Sequence, residues 1–396
     1  MVSINEYYNE DNTILEFSDN FNKSLDNIIF PSCLRSIIFG QKFDQSLDKT
    51  SLPDNLRYII FGSHFNQPLD NANLPKNLYS IEFGTNFNKC LSKVIFPTNL
   101  EIIKFGDSFN QSLYGIVFPE DLESITFGYY FNKPLDNANL PSNILTIIFG
   151  NKFNQPLDKV DLPANLRYLI FGYDHNQSFE NVIFPENLNS ITFGYNFNQP
   201  INKVTFPINL HHITFGHFNQ PLDNVILPLN LKTLTFGSYF NQKLSKATIL
   251  PSSLQIIKYS NMFDQSLDDV ILPSSLDTIT FGFNFNQPLD KVTLPLNLKH
   301  IIFGNTFNQP LNTVSFPSNL QSIVFGKNFN QTIDNLPNSI ERLTFHKIYK
   351  NTTNLPFSLK QIIIIDVKHT NIKRFIKIPY GCIITDQHNN IITHAT

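Results

Sequence analysis

A β-rich solenoid is the fold this sequence predicts: a curved array of about 17 parallel strands wound from 22-residue repeats. Three observations point to it. The hexapeptide FNQPLD stands at 65–70, 153–158, 218–223 and 285–290, with FDQSLD at 43–48 and 263–268. The aromatic opening that motif recurs from Phe21 to Phe329 in steps of 22 residues, with one step of 21, one of 23, and His175 standing in once. Thirteen of the 15 glycines occupy one position of the repeat. A motif that returns with every turn of a coil is structural before it is catalytic.

One repeat, LRSIIFGQKFDQSLDKTSLPDN from Leu34 to Asn55, justifies the elements in order. Leu34, Ile37 and Phe39 follow L-x-x-I-x-F, and the alternation of the last two marks the buried face of a short strand. Gly40 comes next, where a residue lacking Cβ is expected to take a positive φ and start a tight turn. Phe43, Leu47 and Leu52 are further inward anchors. Pro53 has no amide to donate and favours an extended entry, which marks the return towards the next strand. No stretch is long enough for a regular helix, so the outer side is expected to be turns or 3₁₀. The Asn of FNQPLD is present at 13 of 15 turns and replaced by Asp44 and Asp264 at the others. Its short side chain suits backbone groups that a tight turn leaves unpaired. The alternative is a polar comb recognising a repeating ligand.

A single unit cannot bury its own apolar residues, whereas units stacked in register make a continuous core. Phe fills the strand-end position at 15 places from Phe17 to Phe345, with Tyr259 once, and the turn position at 14; together these take 29 of the 39 phenylalanines. Two aromatic ladders therefore account for the composition. At ~4.8 Å per parallel strand the sheet is expected to run roughly 75 Å. A period of 22 residues is too short for helix-pair repeats of about 33 residues or more and lies within the range of leucine-rich repeats.

The unit L-P-x-N-L-x-x-I-x-F-G-x-x-F-N-Q-P-L resembles the FNIP repeat, a leucine-rich-repeat relative found in social amoebae and in giant viruses of amoebae, over residues 14–366. The fourth letter of that motif is usually Leu preceded by Pro here, with Ile at Ile201 and Ile333. The resemblance implies a non-enzymatic interaction scaffold. Its alternative implication is a substrate-targeting subunit for a ubiquitin ligase, as in relatives with an amino-terminal F-box; the polar segment 1–13 is shorter than such a bundle.

Composition bounds the partners. A net charge of −3 over 396 residues gives no expectation of nucleic acid or an anionic membrane. Cys33, Cys90 and Cys382 lie far apart, offering neither a disulfide framework nor a C-x-x-C pair. No export signal and no run of 18 apolar residues is visible, so a cytoplasmic protein is expected, in a host cell if viral. Sequons such as Asn110-Gln-Ser112 fall on the turn Asn, in keeping with that expectation. No nucleotide, serine-hydrolase or zinc-protease motif occurs, so no catalytic residue, cofactor or metal is expected. His211, His212 and His217 in HHITFGH do not share a direction on a strand and read as surface histidines.

The outward strand residue between buried Ile and Phe is mostly β-branched, from Ile38 to Thr344, and the two positions before it mix Arg35, Arg57 and Arg167 with Glu101, Glu123 and Asp277. After the strand-end glycine two outward residues line a rim of the sheet. There Tyr129, Tyr130, Tyr173, Tyr195 and Tyr239 accumulate, beside Tyr168 and His212 on the strand face. Tyrosine offers a rigid surface with a hydrogen-bonding tip, so these seven are the candidate binding residues for an unknown protein partner; rim tyrosines that merely pack on one another are the alternative. Residues 367–396 leave the repeat, with Lys368, Lys373, Arg374 and Lys377 among apolar residues, and are expected to cap the open end.

Overall fold

The computed structural model describes residues 4–370 and 372–394. The chain falls into two units, Met1–Phe197 and Asn198–Thr396. In the first, nine short strands from Ile14–Glu16 to Ser190–Thr192 pair in parallel, each with the next along the chain. Register follows the repeat: Ser36, Ile37 and Ile38 face Tyr58, Ile59 and Ile60. In the second unit the same ladder runs from His212–Thr214 to Gln361–Ile364. Each unit is thus a parallel β-solenoid of roughly 22-residue coils.

Three turns close each coil, and each explains one anchor of the repeat. In the second coil the amides of Phe43, Thr50 and Leu56 donate to the carbonyls of Gly40, Leu47 and Pro53 at 3.1, 3.0 and 3.0 Å. Every corner therefore turns an apolar residue inward: Phe43, Leu47 and Leu56 are buried. The outer side consists of such turns, and the 3₁₀ segments of the described residues lie before the first strand, at Asn5–Tyr7, and after the strand Gln361–Ile364, at Val367–His369 and Ile372–Arg374.

The phenylalanines form the expected ladders. In the first unit the strand-end rings Phe127 and Phe149 lie 5.5 Å apart and the turn rings Phe131 and Phe153 6.0 Å apart, with interplanar angles of 7° and 6°. Phe149 and Phe153 of one coil stack at 3.9 Å with an interplanar angle of 6°. The second unit repeats this with Phe281, Phe303 and Phe307.

The strand-end glycine has a different cause from the one expected. Among the described residues positive φ at glycine occurs at Gly115 and Gly381. At Gly62, Gly84, Gly106 and their equivalents the coils approach so closely that an added Cβ would lie well under 3.0 Å from the carbonyl of the preceding coil's glycine. The side chain is excluded by the neighbouring coil, not by backbone torsion. Between the strand ends Phe39 and Phe325 Ser260 is the exception, and it lies within the 23-residue step from Phe240 to Phe263; its hydroxyl donates to the Phe240 carbonyl at 2.5 Å.

The Asn of FNQPLD also acts between coils. Its Oδ1 accepts the amide of the equivalent residue one coil later: Asn110 from Asn132, Asn132 from Asn154 and Asn154 from Asn176, all at 2.9 Å. Gln155 adds a side-chain bond to Asn132 at 2.9 Å. Asp44 accepts from the Asn66 amide and the Gln67 amide group in the same way, so an acceptor oxygen is all the position requires. Asn154→Ala is expected to cost about 1–3 kcal/mol, because the Asn176 amide loses its partner in a part-buried site. Asn154→Asp should stay near wild type in the same denaturant titration, and equal losses for the two would reject the acceptor role.

One coil breaks the pattern. His175 replaces Phe and lies fully buried, 5.7 Å from Phe153 and 4.1 Å from Phe171, while Phe179 stands where other coils have Leu or Ile. Neither ring nitrogen makes a hydrogen bond of good geometry. Desolvation takes its pKa from 6.5 down to about 3, against a weaker upward pull from the Gln155 backbone. The folded state therefore binds fewer protons than the unfolded chain between those values, and stability is lost as pH falls from about 6.5 towards 3. Over that window the loss is roughly 3–5 kcal/mol. The double change His175→Phe with Phe179→Leu restores the usual pair; acid titrations of unfolding free energy should show this part of the slope gone, and an unchanged slope would contradict the burial of a neutral ring.

Beyond Ile364 the coil continues one turn past the boundary at 366 placed from sequence. Ile383–Asp386 pairs in parallel with Gln361–Ile364, and Ile391–His394 then pairs antiparallel to it. Cys382 fills the Leu anchor, buried, with its amide on the Pro379 carbonyl at 3.1 Å as in other coils. Of the basic cluster, Arg374 donates to the carbonyls of Ile348 and Tyr349, and Phe375 meets Phe345 edge-on at 6.1 Å.

Candidate functional site

The rim tyrosines follow from the coil geometry. The two residues after each strand-end glycine open the turn that buries the next Phe, so their side chains must point outward. Successive rims are tied by backbone bonds, as from the Lys152 amide to the Tyr129 carbonyl at 2.9 Å and from the Asn196 amide to the Tyr173 carbonyl at 2.8 Å. Side chains one coil apart are therefore neighbours, at ~4.8 Å per step.

In the first unit the tyrosines form two pairs, one within a coil and one between neighbouring coils. Tyr129 and Tyr130 meet edge-on at 4.7 Å and 70°, and Tyr173 stacks on Tyr195 at 4.4 Å and 23°. Between the pairs, Lys152 binds Asp174 at 2.8 Å and reaches to 5.9 Å from the Tyr129 ring centre. The Asp174 carboxylate, by hydrogen bond and charge, pushes the Lys152 pKa up. Asp174 in turn accepts from Asn196 at 3.2 Å. The rings remain open to solvent, with Tyr130 54% and Tyr173 48% exposed. The rim combines aromatic faces, phenolic tips and one ion pair that fixes the spacing between them.

The other candidates lie apart from this group. Tyr168 opens the strand Tyr168–Ile170, before rather than after the buried residues, and its ring makes no aromatic contact among the described residues. In the second unit Tyr239 tilts over His217 at 4.1 Å. His212 begins the strand His212–Thr214, where burial first, then His211 and Lys232, lower its pKa. Among the described residues no three His, Cys, Asp or Glu side chains converge as a metal site, and His211 Nδ1 contacts the Asn209 carbonyl at 2.6 Å. Among the described residues no helix is long and apolar enough to cross a membrane.

Sequence reading missed Lys152 and Asp174 as members of the rim. The signal was present in their positions, each one coil from a tyrosine, but charge in an exposed turn carries no direction until the coils are stacked.

A family model described as "FNIP Repeat" matches ten segments spanning residues 13–42 through 307–348. Among solved structures the chain is similar to CroV588, titled a novel circular LRR protein, at 32% identity and a TM-score of 0.69; the match covers 94% of this chain and 62% of that one. A chain of the Drosophila Toll–Spatzle complex is similar at 13% identity with a TM-score of 0.55, over 84% of this chain and 51% of that chain, a likeness of fold. This chain therefore spans less than two thirds of the length of either structure. No curated protein matches it.

Proposed function

The chain belongs to the FNIP repeat family, and from that premise we propose that it is a non-enzymatic scaffold that binds another protein through the tyrosine rim of its first unit. The repeat residues are consumed by packing, so recognition falls to the outward positions. The observation that carries this reading is the group Tyr129, Tyr130, Tyr173 and Tyr195 around the Lys152–Asp174 pair, half-exposed on a backbone fixed by coil-to-coil bonds. Such rigid amphipathic side chains are enriched in binding hot spots. Tyr168, on the strand face of the same unit, belongs to this proposal as a flanking contact, His212 and Tyr239 of the second unit form no part of it, and a cytoplasmic partner suits the three separate thiols.

The test is capture of partners on the tagged chain from its native cell, identification by mass spectrometry, and titration of the captured partner. Tyr173→Ser with Tyr195→Ser should leave the melting curve nearly unaltered and weaken binding at least tenfold, about 1.4 kcal/mol. Unchanged affinity, or loss of folding together with binding, would return the tyrosines to packing. Capture of a ligase core would favour the targeting-subunit function instead.

A further inference from the structure

A second surface of the first unit carries charges that the fold leaves unneutralised. From the second to the sixth coil the residue after the buried Leu forms a column, Arg35, Arg57, Tyr79, Glu101 and Glu123, which Leu145 then follows. Each amide donates to the carbonyl of the one before it, at 2.8, 2.9, 2.9 and 2.8 Å in order, so the side chains stand in register at ~4.8 Å per step. Beside the column runs an open groove of about 530 Å³, lined by Arg35, Arg57, Tyr79 and Glu101 of the column and by Asp121 at its acidic end, with Glu123 one coil beyond. Its asparagine wall is fixed: Asn55 and Asn99 donate to the carbonyls of Ser32 and Lys76 at 3.0 and 3.2 Å.

The same column in the second unit shows what a solvated face does with such charges. There opposite signs alternate and pair across coils, Asp277 with Lys299 at 2.7 Å and Glu341 with Lys360 at 2.8 Å. In the first unit like charges are neighbours instead. Arg35 sits beside Arg57 and Glu101 beside Glu123, with Tyr79 separating the signs. Arg35 makes one hydrogen bond, to the Asn55 carbonyl at 3.3 Å. No ion pair joins these arginines to these glutamates. Glu101 bears on Tyr79 instead, whose pKa it raises, and Tyr58 meets the Tyr79 ring edge-on at 5.7 Å. Like charges in neighbouring register positions oppose pairing of the strands that carry them, and swapping one residue would remove the repulsion. A segregated pattern held at that cost fits a ligand of the complementary pattern.

We propose that this groove binds an extended protein segment with a block of carboxylates at the Arg35–Arg57 end and a block of cations at the Glu101–Glu123 end. Two to four coil steps separate the blocks on the protein, about 10–19 Å, which an extended chain covers in about three to six residues. Paired arginines present guanidinium forks to carboxylates, and the Tyr79 face receives the uncharged residues between. The surface shares no residue with the tyrosine rim, so its failure and the failure of the rim reading are separate results.

The experiment uses the full chain and a dye-labelled, end-blocked peptide Asp-Asp-Ser-Ser-Lys-Lys, read by fluorescence anisotropy at low salt. Controls are a peptide of the same composition with alternating signs and an all-acidic peptide of the same length. The two-block peptide should bind at least tenfold tighter than either control, and weaken as salt rises. Arg57→Glu should abolish the preference, and Glu101→Gln should reduce it should the first variant fold poorly. Comparable affinity for all peptides, including no detectable binding of any, overturns the proposal. Equal or tighter binding of the all-acidic peptide also overturns it, and would mark a simple anion site.

Discussion

Replacing Phe153 by alanine is expected to lower the unfolding free energy by about 3–5 kcal/mol. The ring is fully buried and stacks on Phe149 within its coil and on Phe131 and His175 in the coils either side, so truncation opens a cavity walled by three aromatic faces. The wall has little freedom to collapse. Each ladder ring is tied to a coil whose rise is set by backbone hydrogen bonds, such as the Phe149 amide on the Ile170 carbonyl at 2.8 Å. Denaturant unfolding under reversible conditions gives the number. A loss below about 1 kcal/mol would mean that the ladder is not the core.

Gly150→Ala is expected to be as damaging, although it adds one methyl group. The new Cβ would overlap the Gly128 carbonyl, a backbone atom that cannot swing aside, so two coils must part and their shared hydrogen bonds lengthen. The expected cost is about 3 kcal/mol or more, at the upper end for overpacking. Gly115→Ala is the internal control. Gly115 has φ +77° but open space around it, with Ser92 Cβ as its nearest contact at 3.6 Å, so it should cost only the left-handed penalty of about 1–2 kcal/mol. The reverse order of the two variants in thermal or denaturant unfolding would reinstate torsion as the reason for the strand-end glycine.

These two positions mark where sequence reading reached its limit. Strands, ladders and the coil length were legible because equal residues occupy equal environments every 22 positions, and Leu, Ile and Phe have one reason to recur inside a stacked coil. The causes that act between coils were not. Gly40 and Asn66 look like local turn residues in one repeat; their partners are atoms 22 residues away, Ser18 and Gly40 lying against the strand-end glycines and Asp44 against Asn66. The last coil was hidden because Cys382 stands for Leu there and 3₁₀ segments interrupt the period. At the rim, the tyrosines were found from their position in the repeat, whereas the Tyr173–Tyr195 stack and the Lys152–Asp174 bridge needed the rise of the coil.

The central claim is that the repeated motif packs the coils while the outward residues recognise the partner. The most direct measurement is the affinity of the captured partner for Asn110→Ala protein, taken at a temperature where its melting curve shows complete folding. Asn110 holds the Asn132 amide at 2.9 Å, so the variant should be less stable yet bind with wild-type affinity. Loss of binding in a protein that keeps its melting temperature would contradict the claim and make the asparagine column the recognition surface.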